Sequence, residues 1–92
     1  MKIINTKLKE VKIICPIIYE DNRGLFFESF NEKSFDKLIK NNTKFVQDNH
    51  SISEFNVLRG LHYQKEPFSQ GKLVRVIKGE IFDVAVDIRK NS

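Results

Sequence analysis

Two side chains in the second half of this sequence have types suited to proton-transfer chemistry. His62 is the strongest candidate for a general base, because an imidazole gains and loses a proton near neutral pH. Lys72 could provide a fixed cation that stabilises an oxyanion or binds a phosphate. A structural alternative stays open for each: a histidine with satisfied hydrogen bonds, and a solvated lysine at the end of a strand.

Other polar residues crowd into segments that are predicted to be strands. Burying a polar group without a partner costs about 1–3 kcal/mol, so a cluster of such groups indicates a polar cavity within a barrel. The competing interpretation is the solvated face of a one-sided sheet. The residues are Gln47 to His50, Arg59, His62, Gln64, Lys72, Arg75, Asp83 and Asp87.

The sequence does not predict a metal site or a phosphate-binding glycine loop. A metal site needs three or four close ligands, whereas His50 and His62 are far apart and Gln64 stands where a second nearby histidine would be needed. The four glycines are widely separated. No metal or cofactor is therefore expected.

The composition and net charge limit the kinds of partner that this chain is expected to bind. The chain has 92 residues, of which 40% are hydrophobic, with sixteen Lys and Arg against twelve Asp and Glu, a net charge of +4. This is enough for one marginally stable domain, but its scattered lysines form no stripe typical of nucleic-acid binding. An acidic small ligand needs only two or three well-placed cations. Oligomerisation is expected from the small size.

The single cysteine and the N-terminus predict a cytoplasmic protein. Cys15 lies in an apolar stretch and reads as a small buried hydrophobe, which suits a reducing compartment. The first seven residues contain no continuous apolar segment of a signal peptide. No window approaches the length of a membrane span, so a membrane partner is not expected.

The hydrophobic pattern predicts an all-β domain with one short helix. Pro16 divides the segment from Lys12 to Tyr19, and the turn from Asp21 to Gly24 leads into a strand from Leu25 to Phe30. Asn31 caps a helix with Phe35, Leu38 and Ile39 on one face, and Asn41-Asn42 ends it. Further strands are predicted at Phe45 to Ser53, Val57 to Gln64, Lys72 to Lys78 and Glu80 to Arg89, the last two around Gly79.

Turn signals at short intervals favour a sandwich or barrel. In the last predicted strand Phe82, Val84, Val86 and Ile88 alternate with Asp83, Ala85 and Asp87, so one face is expected to pack on a core. Gly60, within the predicted strand from Val57 to Gln64, predicts a bulge or a close backbone approach. The edge after Ile88 would be open for pairing with another chain.

Five sequence blocks follow one another along the chain: Asp21 to Gly24 with Phe26 and Glu28, Phe45 to Ser51, Arg59 to Gln64, Gln70 to Val76, and Gly79 to Arg89. Together they resemble the dTDP-4-dehydrorhamnose 3,5-epimerase family of dTDP-L-rhamnose synthesis. The resemblance implies a cupin-like double-stranded β-helix, or jelly roll, which is incomplete here because residues 1–92 match the N-terminal part of one such domain. It also implies a homodimer in which N-terminal strands cross to the partner subunit.

The resemblance assigns roles to individual positions. His62 matches the general base, and Lys72 matches the cation near the developing enolate. The nucleotide sugar, a dTDP-4-keto-6-deoxy sugar, is held by residues matching Arg23, Phe26, Glu28, Gln47, Asn49 and Arg59. Phe26 resembles an aromatic near the thymine, and the position of Asp83 suits a carboxylate that supports the active-site network.

The family chemistry is consistent with these residue types. Protons on the carbons flanking a ketone are acidic, because the carbanion delocalises onto the ketone oxygen. A base removes the proton, a cation stabilises the enolate, and reprotonation from the opposite face inverts the centre. No redox cofactor or metal is required. The tyrosine used as general acid and the carboxylate that pairs with the base lie, by resemblance, beyond Ser92.

Three alternatives to the epimerase remain open. The first is an inactive nucleotide-sugar-binding cupin fragment, which keeps the binding residues without the acid. The second is a keto-sugar isomerase of the same fold, although the block from Arg59 to Gln64 favours the epimerase. The third is a basic β module that binds nucleic acid, which the absence of a charge stripe and an aromatic platform disfavours.

Overall fold

The computed structural model describes residues 1–40 and 43–92, and its regular elements all lie in the first part of the chain. Four strands and one helix follow in order: β1 (Lys2–Asn5), β2 (Lys12–Cys15), β3 (Tyr19–Asp21), β4 (Gly24–Phe26) and α1 (Glu32–Ile39). The strands form two antiparallel hairpins, β1 with β2 and β3 with β4. The regular structure is thus mainly β-sheet with one short helix.

The first hairpin pairs Lys2 with Cys15 and Asn5 with Lys12. A threonine closes the connection between its strands: the Thr6 hydroxyl donates to the Val11 carbonyl oxygen at 2.7 Å. The sequence pattern did not predict β1, because its two apolar residues, Ile3 and Ile4, form a run too short to stand out. Its pairing with β2 supplies the signal that periodicity lacks.

The second hairpin confirms the predicted turn and the break at Pro16. β2 ends at Cys15 and β3 begins at Tyr19, so the apolar stretch forms two strands. Asp21 pairs with Gly24, and Gly24 adopts a φ of 136°, which favours glycine. β4 ends at Phe26, four residues before the predicted end at Phe30, because its partner strand β3 has only three residues.

The helix begins as predicted. Asn31 has extended backbone angles, and its side-chain oxygen accepts a hydrogen bond from the Ser34 N–H at 3.1 Å. At the other end, Lys40 takes the left-handed conformation and its N–H donates to the Asp36 carbonyl oxygen at 3.1 Å. The prediction that Asn41-Asn42 ends the helix lies outside the described residues.

The hydrophobic core is a small aromatic cluster beneath α1. Phe35 is the one buried hydrophobic residue of the described chain, with 3% of its surface exposed. The Phe30 ring meets it edge-on at a centroid distance of 4.9 Å, and the Phe45 ring meets Phe30 at 5.8 Å. Both contacts have the edge-to-face geometry that aromatic rings prefer. The cluster packs the helix against the segments that precede and follow it in sequence, which contain Phe30 and Phe45.

The strands predicted after Thr43 do not form. Residues 43–92 contain no helix and no strand, so the predictions for Phe45 to Ser53, Val57 to Gln64, Lys72 to Lys78 and Glu80 to Arg89 are wrong for this structure. Their backbone hydrogen bonds to other described residues are local turns, such as Phe68 N–H to Lys65 O at 2.8 Å. A strand exists only through hydrogen bonds to a neighbouring strand, and none of these segments has such a neighbour among the described residues.

The predicted sandwich or barrel is therefore not present in the described residues. Val84 and Ile88, which were expected to pack on a core, are more than half exposed. The total accessible surface is 9478 Å², whereas a folded monomer of this mass exposes about 5,500 Å². The radius of gyration is 15.5 Å, against about 12 Å for a compact domain of this length. No described helix is long and apolar enough to cross a membrane.

Candidate functional site

The β3–β4 hairpin carries an open groove of about 470 Å³. The groove combines charged and aromatic side chains, which suits a ligand with both an anionic and a planar apolar part. It brings together two of the predicted site residues, Arg23 and Phe26. Its lining is Tyr19, Glu20, Asp21, Arg23, Gly24, Leu25 and Phe26.

Arg23 is held by Asp21 across the hairpin turn. The Arg23 Nε lies 3.1 Å from Asp21 Oδ2, Nη2 lies 2.5 Å from the same oxygen, and the Arg23 backbone N–H donates to Oδ1 at 2.9 Å. The side-chain hydrogen bonds from Arg23 hold the pKa of Asp21 below its usual value, and they raise the pKa of Arg23. The guanidinium is therefore a permanent, oriented cation at the edge of the groove.

Phe26 lies directly opposite Tyr19 in the antiparallel register. Residues paired across two strands point to the same face, so the two rings share one side of the hairpin. Both side chains are mostly exposed, at 67% for Phe26 and 60% for Tyr19. An exposed aromatic pair offers a surface on which a planar ring can stack.

Glu28 lies just beyond β4 and contacts the start of the helix. Its Oε2 accepts a hydrogen bond from Asn31 Nδ2 at 3.0 Å. The side-chain oxygen of Asn31, Oδ1, caps α1. Glu28 also lines a second cavity of about 150 Å³, together with Met1, Ile17, Tyr19 and Ser34. Tyr19 borders both this cavity and the groove that contains Arg23 and Phe26.

Three further predicted site residues lie in the segments without regular structure. Gln47 Nε2 donates to Asn49 Oδ1 at 3.1 Å, so these two residues are brought together. Arg59 Nε donates to the Ser53 hydroxyl oxygen at 3.0 Å. All three side chains are exposed, and their contacts are local along the chain.

The two predicted catalytic residues, His62 and Lys72, line neither of the two cavities. His62 and Lys72 are exposed, and neither makes a hydrogen bond or ion pair with another described residue. Near His62, Gly60 has a φ of 106°, and a Cβ added there would lie 3.8 Å from His62 Nδ1. Next to Lys72, a Cβ on Gly71 would lie 2.9 Å from Thr43 Cγ2, so the chain approaches Thr43 closely there. The sequence predicted a bulge or a close backbone approach at Gly60, whereas the close approach in this part of the chain occurs at Gly71.

Sequence reasoning missed Asp21 as the partner of Arg23, although a signal was available. A carboxylate two positions before an arginine at a turn can accept both its backbone N–H and its guanidinium. The same spacing recurs at Asp87 and Arg89, where the carboxylate accepts the backbone N–H at 3.1 Å and Nε at 2.9 Å. No group of three or more potential metal ligands occurs in residues 1–40 and 43–92.

Comparison with known proteins identifies relatives along nearly the whole sequence. The family model for dTDP-4-dehydrorhamnose 3,5-epimerase matches residues 5–92. The chain is 56% identical over 92 residues to the dTDP-4-dehydrorhamnose 3,5-epimerase of Shigella flexneri, covering 100% of this chain and 51% of the relative. It is 57% identical over 91 residues to the protein of that name from Methanothermobacter thermautotrophicus, covering 99% and 48%.

A solved structure shows the same relationship over part of the fold. The crystal structure of dTDP-6-deoxy-D-glucose-3,5-epimerase from Legionella pneumophila, in complex with dTDP-4-keto-L-rhamnose, matches with a TM-score of 0.50 and 52% sequence identity. The match covers 52% of this chain and 26% of that one. The chain spans about half the length of the curated relatives that it matches. The extent of the family match establishes that this chain belongs to the dTDP-4-dehydrorhamnose 3,5-epimerase family.

Proposed function

We propose that this chain supplies the substrate-holding residues and the proton-abstracting base of a dTDP-4-dehydrorhamnose 3,5-epimerase. The substrate is a dTDP-4-keto-6-deoxy sugar, and the reaction inverts centres next to its C4 ketone. The observation that carries the proposal is the 56% identity with the Shigella flexneri enzyme over all 92 residues. The ligand named for the Legionella pneumophila structure is a compound of the proposed substrate class.

His62 is the proposed base. It removes the proton from C3 or C5 of the sugar, and the electron pair of the broken C–H bond moves into a carbon–carbon double bond while the C4 carbonyl becomes an enolate. Lys72 stabilises the negative charge on the enolate oxygen. A well-placed donor of this kind contributes about 3–4 kcal/mol to transition-state stabilisation. Protonation of the carbon from the opposite face restores the ketone with inverted configuration.

The nucleotide part is held by the groove and the segments after it. Arg23 and Arg59 suit the diphosphate, because a guanidinium can donate two parallel hydrogen bonds to phosphate oxygens. Phe26 offers a face for the thymine ring, and Glu28, Gln47 and Asn49 add hydrogen-bonding groups for the sugar and base. The support is that Arg23 and Phe26 line one groove and that Gln47 and Asn49 are hydrogen-bonded to each other.

The proposal extends to the architecture in which this site operates. Residues 1–92 form the N-terminal part of a cupin-type, double-stranded β-helical domain, and the assembly is a cytoplasmic homodimer. Family membership supports the fold, and the exposed apolar side chains after residue 72 support burial against further protein. In that fold the predicted strands would gain the hydrogen-bonding neighbours that they lack among the described residues.

Solvent exchange provides the test of proton abstraction. The 92-residue chain is incubated with dTDP-4-keto-6-deoxy-D-glucose in D2O, and deuterium at C3 and C5 is followed by NMR. We expect incorporation of deuterium at one or both carbons, because a base alone can exchange the proton with solvent. His62→Asn should slow the exchange by about 10²- to 10⁴-fold, since that is the usual contribution of a positioned base.

The chain contains a matched control for that variant. His50 is the other histidine, and it is not proposed to contact the substrate. His50→Asn should therefore exchange deuterium within a few-fold of the unmodified chain, while Lys72→Met should slow the exchange. If His62→Asn exchanges as fast as the unmodified chain, the assignment of the base is wrong.

A second candidate function is nucleotide-sugar binding without catalysis. The observation that favours it is the separation of roles in the structure: Arg23 and Phe26 share a groove, whereas His62 and Lys72 do not line it and form no hydrogen bond with each other. Under this alternative the chain binds dTDP but incorporates no deuterium. Movement of the carbonyl to another carbon, seen in the same NMR spectra, would instead indicate a keto-sugar isomerase.

A further inference from the structure

Asp21 belongs to the predicted turn and to the first sequence block, but neither the resemblance nor the proposed mechanism assigns it a role at the site. Its carboxylate accepts the Arg23 backbone N–H at 2.9 Å, Nε at 3.1 Å and Nη2 at 2.5 Å. Both residues line the 470 Å³ groove of the β3–β4 hairpin. We propose that Asp21 is a positioning residue that orients the Arg23 guanidinium toward the diphosphate of the ligand. This inference rests on the proposed function.

The number of N–H donors on the Arg23 guanidinium supports this role. A guanidinium carries five N–H donors, and Asp21 engages Nε and one side of Nη2. The donors on Nη1 and the outer side of Nη2 remain available, and they form a second edge that can grip a phosphate. The carboxylate therefore fixes one edge of the group and leaves the other free.

The exposure of the pair explains why such a restraint is needed. The Arg23 side chain is 86% exposed, and Asp21 is its one hydrogen-bonding partner within residues 1–40 and 43–92. An exposed arginine without a partner samples many rotamers, and ordering it on ligand binding costs conformational entropy. Asp21 removes part of that cost before the ligand arrives, which is preorganisation.

Asp21 can affect diphosphate binding in two opposite ways. The negative charge of Asp21 also repels a diphosphate, so a carboxylate that only competes with the ligand would weaken binding. The hydrogen-bonded Asp21 keeps its pKa below the usual value, so it is charged throughout the neutral range in either case. Replacing Asp21 by asparagine therefore gives opposite results for the two roles: weaker diphosphate binding if it positions Arg23, and tighter binding if it competes.

The experiment measures binding of dTDP and of thymidine by calorimetry to the unmodified chain and to Asp21→Asn, Arg23→Ala and the double variant. The affinity ratio between the two ligands isolates the contribution of the phosphates. We expect Asp21→Asn to reduce this ratio by about three- to tenfold and to leave the thymidine affinity unchanged. The double variant should bind no more weakly than Arg23→Ala, because Asp21 acts through Arg23.

Asp87→Asn is the matched control, because Asp87 accepts the backbone N–H and guanidinium of Arg89 in the same way but does not line the groove. It should leave the affinity ratio unchanged. An equal loss for dTDP and thymidine in Asp21→Asn would indicate a merely structural role and overturn the inference, as would an unchanged or raised ratio. Failure of the unmodified chain to bind either ligand would overturn both the inference and the proposed binding function.

Discussion

Arg89 and Glu10, which are 79 positions apart, form a bidentate ion pair. Arg89 Nη1 lies 3.1 Å from Glu10 Oε1, and Nη2 lies 3.3 Å from Oε2. The same guanidinium also donates to Asp87, with Nη2 at 2.7 Å from Oδ2. The connection between β1 and β2 is thereby linked to the C-terminal segment, although no strand pairing joins them.

The acid titration of Asp87 is the first prediction. Hydrogen bonds from Arg89 lower the pKa of Asp87 from 3.8 to about 2. A lowered pKa means that the pair stabilises the folded chain above about pH 4, and that this contribution is lost as the pH falls toward 2. Carboxyl-carbon NMR should therefore give an Asp87 midpoint near 2, and Arg89→Gln should return it toward 3.8. An unchanged midpoint in Arg89→Gln would show that the pair does not form in solution.

The aromatic cluster leads to the second prediction, which concerns Phe35. Truncating a fully buried phenylalanine to alanine typically costs about 3–5 kcal/mol. Phe35→Ala should fall at the lower end of that range, because its neighbour Phe30 is 43% exposed. Helical circular dichroism during urea titration measures the loss, since α1 is the one helix of the described chain.

Phe55 provides the control for that measurement. It is 92% exposed, so Phe55→Ala should change the free energy of unfolding by no more than about 0.5 kcal/mol. Equal effects of the two substitutions would contradict the central position of Phe35 in the cluster.

The elements that the sequence predicted correctly are those set by local chemistry. Asn31 caps the helix through its own side chain, Gly24 permits the turn, and Pro16 interrupts the strand. Each of these effects depends on a few neighbouring residues, so a single sequence contains the information. The predicted strands after Thr43 depend on partners distant in sequence, and periodicity cannot show whether those partners are present.

The residues of the candidate site also differ in whether local sequence or distant packing positions them. Arg23 and Phe26 share a groove because one short hairpin carries both, a relationship that local pattern can predict. His62 and Lys72 could meet only through tertiary packing of two segments that form no strands in this structure. The sequence placed Asp21 in the turn, but its contact with Arg23 became clear only from the hydrogen-bond geometry.

Ligand binding by Arg59 is the third prediction. Its Nε contacts only the Ser53 hydroxyl among the described residues, so most of its donors are available for phosphate oxygens. Arg59→Ala should weaken dTDP binding by about 10- to 100-fold, since a charge-assisted hydrogen bond contributes about 1.5–3 kcal/mol. Arg75→Ala is the control: Arg75 lies over the Phe27 ring at 5.9 Å and is not a proposed ligand contact. Calorimetry that finds equal affinities for Arg59→Ala and the unmodified chain would count against the binding assignment.

Self-association is the last prediction. The accessible surface of 9478 Å² exceeds that of a folded monomer of this mass by about 4,000 Å². Stable obligate interfaces bury about 2,000–5,000 Å² or more between two partners, so the excess exposed surface is large enough for one. It includes apolar side chains such as Phe82, which is 95% exposed. Burial of that surface is the main driving force for association. We therefore expect light scattering at micromolar concentration to report a dimer or a larger assembly. Replacing Phe82 by aspartate should shift the population toward monomer, whereas Glu80→Gln, two positions away, should leave it unchanged. A monomer that melts cooperatively would contradict the prediction, because it would show that the chain buries this surface by itself.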